Sequence, residues 1–375
     1  MIKSMPLNEF LFEYTERNID NKYRPVAVGR YGIRSRDSIY SKELAKDYSK
    51  NKLIFKNTLT IGMGSVQIDI GILSTDETYS VSPAYHTYRI NNINPNYLRY
   101  CLECRNQDMF ARYVKKGSRQ GKTIDLSRWL TYEIPVYSIE DQEKIVDKID
   151  RVQGIIDASE KQLVKLDELV KSRFIELFDN IVKTNSKMYL EDVSEFVTVG
   201  IANSATHAYA DSGIVMLRNQ NIKENYLDEN DLIYITPDFA QKYGSKQLIE
   251  NDILVIRTGY PGVACLVPKK YEGCQTFTTL IVRLKDSTLA HAKYVCHYIN
   301  SSFGKDYVDQ SKVGVAQQNF GAKALAKMPI VIPPTELQNE FAAFVEQTDK
   351  SKLAIQESLA ELETLKKALM QKYFG

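Results

Sequence analysis

The sequence lacks the features that mark membrane and secreted proteins. No apolar run approaches the ~20 residues that span a bilayer, and the N-terminal segment MIKSMPLNEF has no apolar signal core. Five cysteines in 375 residues are too few, and odd in number, for a disulfide framework. These absences lead us to expect a cytoplasmic protein without membrane contact.

Strong charge of one sign is also missing. The formal net charge is +2, so bulk charge alone does not identify a partner. The balance is uneven, however, because residues 1–138 carry 21 Lys and Arg against 14 Asp and Glu. Such a basic block favours contact with a polyanion. The length of 375 residues predicts two domains or more.

The chain repeats itself once. Residues 134–178 align with residues 330–374 at a separation of 196 residues without a gap. The matched pairs include Glu140 with Glu336, Gln142 with Gln338, Ala158 with Ala354, Leu163 with Leu359, and Phe178 with Phe374. A period this long indicates a duplicated half and not a solenoid.

Both repeated segments predict long helices with an apolar seam at 4-3 spacing. The seam residues are Ile145, Ile149, Val152, Ile156, Leu163, Leu166, Val170 and Leu177 in the first segment, and Ile355, Leu359, Leu362 and Leu369 in the second. About 40 residues give a rod of roughly 60 Å. We expect the two helices to pack on each other as an antiparallel coiled coil with an approximate two-fold axis. The alternative, in which each helix packs on its own domain, stays open.

The remaining blocks predict two similar mixed α/β domains, and therefore an α+β fold. The predicted segments are a first domain (1–137), a central long helix and linker (138–185), a second domain (186–334) and a distal C-terminal helix (335–375). Short strand-like runs fall at residues 52–55, 60–64, 252–257 and 278–284. Helices are expected at 97–114 and 290–301, and residues 179–188 read as a polar linker.

Known catalytic motifs are weak or incomplete. Residues 117–123 have the spacing GxxxGKT, one residue short of a P-loop, and Cys101 and Cys104 form a lone CxxC without further zinc ligands. Neither an Asp/Asn-Pro-Pro-Tyr/Phe tetrapeptide nor a glycine-rich S-adenosylmethionine fingerprint is present. Four scattered histidines leave a Ser/His/Asp set open, but no nucleophile elbow is visible. We predict no catalytic residue, no metal site and no cofactor bound by this chain.

Several motifs occur in a fixed order around the repeat. A strand and proline precede a Glu-x-Gln at the start of each long helix (residues 134–142 and 329–338), and the helices end in Leu177-Phe178 and Tyr373-Phe374. The loop Gly-Val-Ala-Gln-Gln-Asn-Phe occupies 314–320, and Leu-Glu-Asp-Val occupies 190–193. This order and its duplication resemble the specificity subunits of type I restriction–modification systems.

The resemblance implies a DNA-binding protein that is not itself an enzyme. It implies two target recognition domains, each reading one half of a split site in double-stranded DNA, and helices that set the spacing. It also implies two modification subunits that bind the helices and carry S-adenosylmethionine, and a motor/nuclease subunit in the full complex. The first block lacks a clean copy of the 314–320 loop, and its nearest equivalent is 117–123. We therefore expect two different half-sites.

Candidate DNA-binding residues carry groups that suit base edges or phosphates. The candidates in the first block are Arg30, Arg34, Arg36, Lys115, Lys116, Arg119, Gln120 and Lys122, and those in the second are Arg218, Asn219, Gln220, Asn221, Arg257, Tyr260, Lys312, Gln317, Gln318 and Asn319. Only Asp125 opposes the basic run from Arg112 to Arg128. Ordinary polar loops and a solvated basic face are the alternative interpretation.

Two other classes of function stay open. A stand-alone restriction or modification enzyme with an unrecognised site would transfer label from S-adenosylmethionine to DNA without a partner. A protein-interaction scaffold would use both mixed domains to bind proteins, and duplex DNA would not compete with them.

Overall fold

The computed structural model describes residues 2–39, 47–116, 121–202, 206–311 and 319–375. The chain divides into two compact units. Unit 1 contains Met1–Lys161 and Ile355–Gly375, and unit 2 contains Gln162–Ala354. Each unit therefore combines a mixed α/β body with one part of each long helix.

The first half of the chain contains twelve labelled strands and four helices. The strands are β1 (Lys3–Pro6), β2 (Leu11–Glu13), β3 (Val26–Gly29), β4 (Gly32–Ser35), β5 (Lys52–Ile54), β6 (Thr58–Met63), β7 (Ile68–Ile72), β8 (Tyr79–Val81), β9 (His86–Ile90), β10 (Val114–Lys116), β11 (Lys122–Ile124) and β12 (Glu133–Val136). The helices are α1 (Pro95–Cys104), α2 (Asn106–Tyr113), α3 (Leu126–Trp129) and the long α4 (Ile139–Thr184).

The second half continues the same numbering. Its strands are β13 (Met188–Tyr189), β14 (Ser194–Val199), β15 (Tyr209–Ala210), β16 (Ile214–Leu217), β17 (Ile222–Lys223), β18 (Tyr226–Leu227), β19 (Ile233–Ile235), β20 (Ile253–Val255), β21 (Ala264–Leu266), β22 (Gln275–Thr276), β23 (Leu280–Leu284) and β24 (Pro329–Ile330). Its helices are α5 (Leu190–Val193), α6 (Pro237–Lys242), α7 (Ala292–Asn300), α8 (Ser302–Ser311), α9 (Ala322–Ala326) and the long α10 (Thr335–Phe374).

The two bodies are built on equivalent four-stranded antiparallel sheets. The strand order is β2-β9-β6-β7 in unit 1 and β14-β23-β20-β21 in unit 2. In each unit a further strand pairs with the strand that leads into a long helix, β1 with β12 and β13 with β24. The smaller sheets differ, because β15-β19-β16-β22 in unit 2 contains a parallel pair that the small sheets of unit 1 do not share within the described residues. The predicted α+β fold with two similar domains is confirmed.

One helix lies on each main sheet and buries aromatic side chains against it. The α1 helix starts at a proline, and Asn94 accepts hydrogen bonds from the amides of Asn96 and Tyr97, which is a favourable N-cap. The hydroxyl of Tyr97 donates to the carbonyl of Pro135 at 2.8 Å. The equivalent Tyr294 of α7 donates to the carbonyl of Val331 at 2.7 Å. The domain helix of each unit is thus tied to the segment that leads into a long helix.

The predicted seam lies on the side of each long helix that is turned away from solvent. Every predicted seam residue is buried or half-buried, from Ile145 to Leu177 in α4 and from Ile355 to Leu369 in α10. Within unit 2, Lys352 pairs with Asp167 at 2.5 Å, and Glu340 pairs with Arg173.

The residue order in these contacts gives the direction of the helices. In unit 2, Arg173 of α4 pairs with Glu340 of α10, and Asp167, which comes earlier in α4, pairs with Lys352, which comes later in α10. In unit 1, Lys366 donates to Gln153, and Tyr373 at the end of α10 meets Tyr137 just before α4. The helices therefore run antiparallel in each unit, as predicted.

Two sequence-based boundaries were wrong. The expected helix at 97–114 is broken at Arg105, where α1 ends and α2 begins, and Val114 already belongs to β10. The expected polar linker at 179–188 is helical as far as Thr184. The reason is that Val182 is buried in the core of unit 2 and Ile181 packs against it, so two apolar residues extend the amphipathic pattern of α4 into a polar segment.

Candidate nucleic-acid interface

The same structural feature recurs in both bodies at the turn between the last two strands of the main sheet. Strands β6 and β7 form an antiparallel ribbon in unit 1, and β20 and β21 form the equivalent ribbon in unit 2. We call residues 64–67 tip 1 and residues 256–263 tip 2. Turns at the ends of strands suit a binding surface because the sheet holds them rigidly.

Tip 2 brings together three segments that are far apart in the sequence. The Nε of Arg257 donates to Oδ1 of Asn319 at 3.0 Å, and Thr258 forms an isolated β-bridge with Asn319. The side-chain amide of Asn219 donates to the hydroxyl of Thr258 at 3.2 Å. The predicted candidates Asn219, Arg257 and Asn319 therefore form one cluster.

Polar and aromatic groups of tip 2 and of the neighbouring 219–221 segment remain open to solvent. Tyr260 is 82% exposed, and Gln220 is also exposed. The turn needs glycine at Gly259 and Gly262, because their φ angles of +85° and +93° lie in the left-handed region. A side chain at Gly262 would in addition meet Val308, so this turn approaches α8 closely.

Asn221 is removed from the base-reading candidates by its burial. It is 0% exposed, and its amide donates to the carbonyls of Asp228 and Asn230 at 3.0 and 2.9 Å while its oxygen accepts from the amide of Arg218. A buried amide with all these partners stabilises the loop. The Arg218 guanidinium donates to the carbonyl of Asp231, which turns it toward its own loop.

Tip 1 is met by the corresponding segment of unit 1. The Nζ of Lys122 donates to the carbonyl of Ser65 and lies 5.1 Å from the centroid of the Phe110 ring. Lys122 occupies the place of Asn319 when the 117–123 loop is aligned on the 314–320 loop. Lys122 and Asn319 thus contact the tips of equivalent ribbons.

Two cations of the basic run in unit 1 are paired with carboxylates. Lys115 pairs with Asp125 at 2.7 Å, and Arg112 pairs with Asp108 at 2.8 Å. The hydrogen bond from Lys115 lowers the pKa of the Asp125 carboxyl. Asp108 was missed as an opposing charge because it lies one helical turn before Arg112, outside the run that was considered.

The arginines near residue 30 lie on the β3–β4 hairpin. Arg30 and Arg34 flank Tyr31, with guanidinium-to-ring distances of 5.7 and 5.3 Å, and Tyr31 is 71% exposed. Arg36 instead lies over the ring of Tyr48 at 5.5 Å and has a buried Nε, so it is partly withdrawn from solvent. This hairpin and β11 both pack on the β6–β7 ribbon, which places Arg34 and Lys122 on elements around one ribbon.

Five further candidates lie outside the described residues: Arg119, Gln120, Lys312, Gln317 and Gln318. Lys116 ends β10, and its side chain is likewise outside the description. Sequence reasoning missed Ser65 and Val66 at tip 1, because this turn carries no charge. Its equivalence to tip 2 was the available signal, and Val66 is 59% exposed there.

Two of the motifs considered for catalysis include residues whose surroundings the structure describes. Cys101 is fully buried, and burial raises the pKa of its thiol to about 12, which opposes metal binding or nucleophilic attack at neutral pH. Lys122–Ile124 is a strand where a P-loop would open a helix. Among the described residues, no group of three or more His, Cys, Asp and Glu is placed to hold a metal ion.

Comparison with known families now places these features. The model of the type I restriction modification DNA specificity domain matches residues 4–168 and 183–365. The chain belongs to this family. The two matched regions correspond to the two copies of the mixed body followed by a long helix.

Individual relatives agree with the family. The specificity subunit of the type I restriction enzyme EcoEI from Escherichia coli is 33% identical over 102 residues, which is 26% of this chain and 17% of that protein. The chain thus spans about a sixth of this relative in that match.

In the part of the chain that the structure describes, no helix is long and apolar enough to cross a membrane.

Solved structures share the fold over the whole chain. The S subunit of a type I restriction–modification system from M. genitalium aligns with 100% of this chain and 96% of its own, with a TM-score of 0.55 and 12% identity. A structure that describes complex assembly and conformational transition of the type I system aligns with 100% of this chain and 97% of its own, with a TM-score of 0.60 and 17% identity.

Proposed function

We propose that this chain is the sequence-specific DNA-binding subunit of a type I restriction–modification complex and that each unit reads one half of a two-part target. The observation that carries the proposal is the pair of equivalent tips. In both units the segment before a long helix meets the turn of the main ribbon, through Lys122 in one and Asn319 in the other. Family membership supports the same conclusion.

The chemistry of the two tips suits different half-sites. Tip 2 and the segments beside it offer the guanidinium of Arg257 and the amides of Asn319 and Gln220, which can pair with purine edges, and the exposed ring of Tyr260. Tip 1 offers Lys122, with Arg30 and Arg34 on the hairpin that packs on the same ribbon, and these cations suit phosphates. Different side chains on one framework explain how the two halves of a target differ.

The chain itself performs no chemistry in this proposal. S-adenosylmethionine is bound by two modification subunits, and a motor/nuclease subunit completes the assembly in the cytoplasm. Docking of the modification subunits on the long helices is supported in unit 2 by the solvent-facing apolar side chains Val164, Leu169 and Leu353. Purified chain mixed with plasmid and labelled S-adenosylmethionine transfers no label unless the modification subunit is added; transfer without it contradicts this part.

The DNA contact is tested by the salt dependence of binding. We expect Lys122→Ala to weaken binding to duplex DNA and to lower the slope of log K against log salt by about 1, because one phosphate contact is lost. Adding Arg119→Ala should lower the slope further. Binding is measured by fluorescence anisotropy at several salt concentrations, with the chain alone and with its modification subunit.

The matched control is Lys148→Ala, which removes an exposed lysine on α4 away from the tips. An unchanged slope in the Lys122 variant, or an equal change in the Lys148 variant, would remove tip 1 from the interface. Binding that duplex DNA fails to compete at moderate salt would favour a protein-interaction scaffold instead.

A further inference from the structure

A buried glutamine lies near the start of each long helix. Gln142 in α4 and Gln338 in α10 are at most 1% exposed and occupy equivalent positions of the repeat. Most neighbouring core positions in both units are apolar, for example Ile134 and Ile330, which are also fully buried. A polar side chain in such a place costs stability unless all its groups are bonded, so its partners indicate its role.

The two glutamines share two equivalent contacts, and Gln338 makes a third. Oε1 of Gln142 accepts from the amide of Asn94 at 2.8 Å, and its Nε2 donates to the carbonyl of Tyr137 at 2.9 Å. Oε1 of Gln338 accepts from the amide of His291 at 2.8 Å. Its Nε2 donates to the carbonyls of Pro333 at 2.7 Å and Leu289 at 3.0 Å.

These partners belong to different parts of each unit. Asn94 and His291 are the N-cap residues of α1 and α7, the helices that lie on the main sheets. Tyr137 and Pro333 lie between the last strand of the body and the long helix. One amide therefore joins the body, the connecting turn and the long helix, and it needs both a donor and an acceptor to do so.

We call the place where a body, its connecting turn and its long helix meet the joint of that unit. A tyrosine of the body makes a second hydrogen bond at each joint. The hydroxyls of Tyr97 and Tyr294 donate to the carbonyls of Pro135 and Val331, in the strand and turn that lead into each long helix. Each joint is thus held by one side chain from the long helix and one from the body. Such a crossed pair of bonds restricts rotation of the body about the start of its helix.

We infer that Gln142 and Gln338 are positioning residues that fix the direction of each body on its long helix and thereby the spacing at which the two half-sites are read. The inference rests on the proposed function. The inference assigns two properties of a split target, the preferred bases and the spacing between the halves, to different residues. The tips decide which bases are preferred, and the joints decide how many base pairs separate the two halves.

The test uses cells that express the chain with its modification subunit and carry plasmids whose target spacer is native, or one base pair shorter or longer. Methylation at each spacer is quantified by sequencing of modified bases. We expect Gln338→Met, which keeps the length and removes three hydrogen bonds, to reduce the preference for the native spacer by about tenfold or more, because the loss of one buried hydrogen bond already corresponds to about tenfold. The bases preferred in each half should not change.

Matched variants make the comparison specific. Gln347→Met changes an exposed glutamine of the same helix and should leave the spacer preference unchanged. Gln142→Met should act in the same direction as Gln338→Met but less strongly, because Gln142 makes two bonds where Gln338 makes three. If Gln338→Met lowers methylation too far to quantify, Tyr294→Phe removes the other bond of the same joint and carries the same prediction.

The outcomes are distinguishable. Relaxed spacer preference with unchanged half-site bases supports the inference. Unchanged spacer preference in the glutamine variants, or in Tyr294→Phe where it replaces them, overturns it, as does a change in the preferred bases. Absence of a two-part motif with the wild-type chain overturns the proposed function itself, and the inference with it.

Discussion

In unit 2, Arg283 of β23 forms a two-pronged ion pair with Asp252, and the side chains are 17% and 1% exposed. In unit 1, Arg89 occupies the same position of the sheet, opposite Phe12 as Arg283 is opposite Phe196, yet it pairs with Glu16 at the surface. The joints with the long helices are conserved between the units, whereas the pairing on the sheets and the side chains of the tips differ. The two copies of the fold thus share the contacts at the joints with the long helices. They differ in the ion pairs on the main sheets and in the side chains of the tips.

The largest expected difference concerns the phenylalanines at the ends of the repeat. Phe178 lies 4.8 Å from the ring of Tyr294 and also contacts Phe174 and Phe341, whereas Phe374 lies 5.0 Å from Tyr97. Both are fully buried, so replacement by Ala should destabilise the unit concerned by about 3–5 kcal/mol. Phe178→Ala should have the larger effect, because more aromatic neighbours lose their contacts.

Hydrogen exchange measured peptide by peptide during urea titration assigns the loss to one unit. Phe12→Ala removes a half-exposed ring and serves as the control, with a change within about 0.5 kcal/mol. A larger loss from Phe374→Ala than from Phe178→Ala would contradict the comparison.

The next largest expected difference is in the stability that the two ion pairs contribute. Asp252→Ala leaves a largely buried guanidinium without its carboxylate and should cost about 3 kcal/mol. Glu16→Ala removes a solvent-exposed partner and should cost about 0.2–1 kcal/mol. Urea midpoints at low and high salt measure both; equal effects would show that burial does not distinguish the pairs.

A pH dependence that arises from a buried histidine is expected in unit 2. Burial, assisted by the charges of Lys293 and Lys352 and opposed by that of Glu224, lowers the pKa of His297 to about 3. The unfolded chain binds a proton at this residue below about pH 6.5, and the folded chain does not, so stability falls as the pH drops from about 6.5 toward 3. The loss at pH 5 should be about 2 kcal/mol.

Unit 1 has Tyr100 at the corresponding position of its domain helix, where no such proton is taken up. His297→Phe keeps an aromatic ring against Phe174 and Phe341 and should remove this acid dependence. Urea unfolding at pH 7 and pH 5 gives the result; an unchanged difference between the two pH values would assign the dependence to other groups.

The long elements and their pairing could be predicted from the sequence because they rest on periodic patterns. The seam of α4 and α10 and the duplication at 196 residues are one-dimensional signals, and the structure confirms both. The helix break at Arg105 carried no such signal, since neither proline nor glycine marks it. The extension of α4 to Thr184 depends on packing of Val182 in unit 2, which the polar composition of the segment conceals.

The candidate interface was only partly predictable. The clusters around Arg218 and Arg257 were chosen for their chemistry, and the structure brings Asn219, Arg257 and Asn319 together. Composition could not show that Asn221 is buried, or that Asp125 pairs with Lys115 in particular, because both facts depend on how the chain folds locally. The same limit explains why the uncharged turn at Ser65 was missed.

The central claim is that each unit reads its own half of a split target. The most direct measurement is the sequence context of methylated bases in cells that express the modification subunit with the wild-type chain or with Arg257→Ala. We predict a two-part motif for the wild type and, for the variant, relaxed preference in one half only, by about 1–3 kcal/mol at the affected base pair. A variant motif changed in both halves, or a wild type without a two-part motif, would contradict the account.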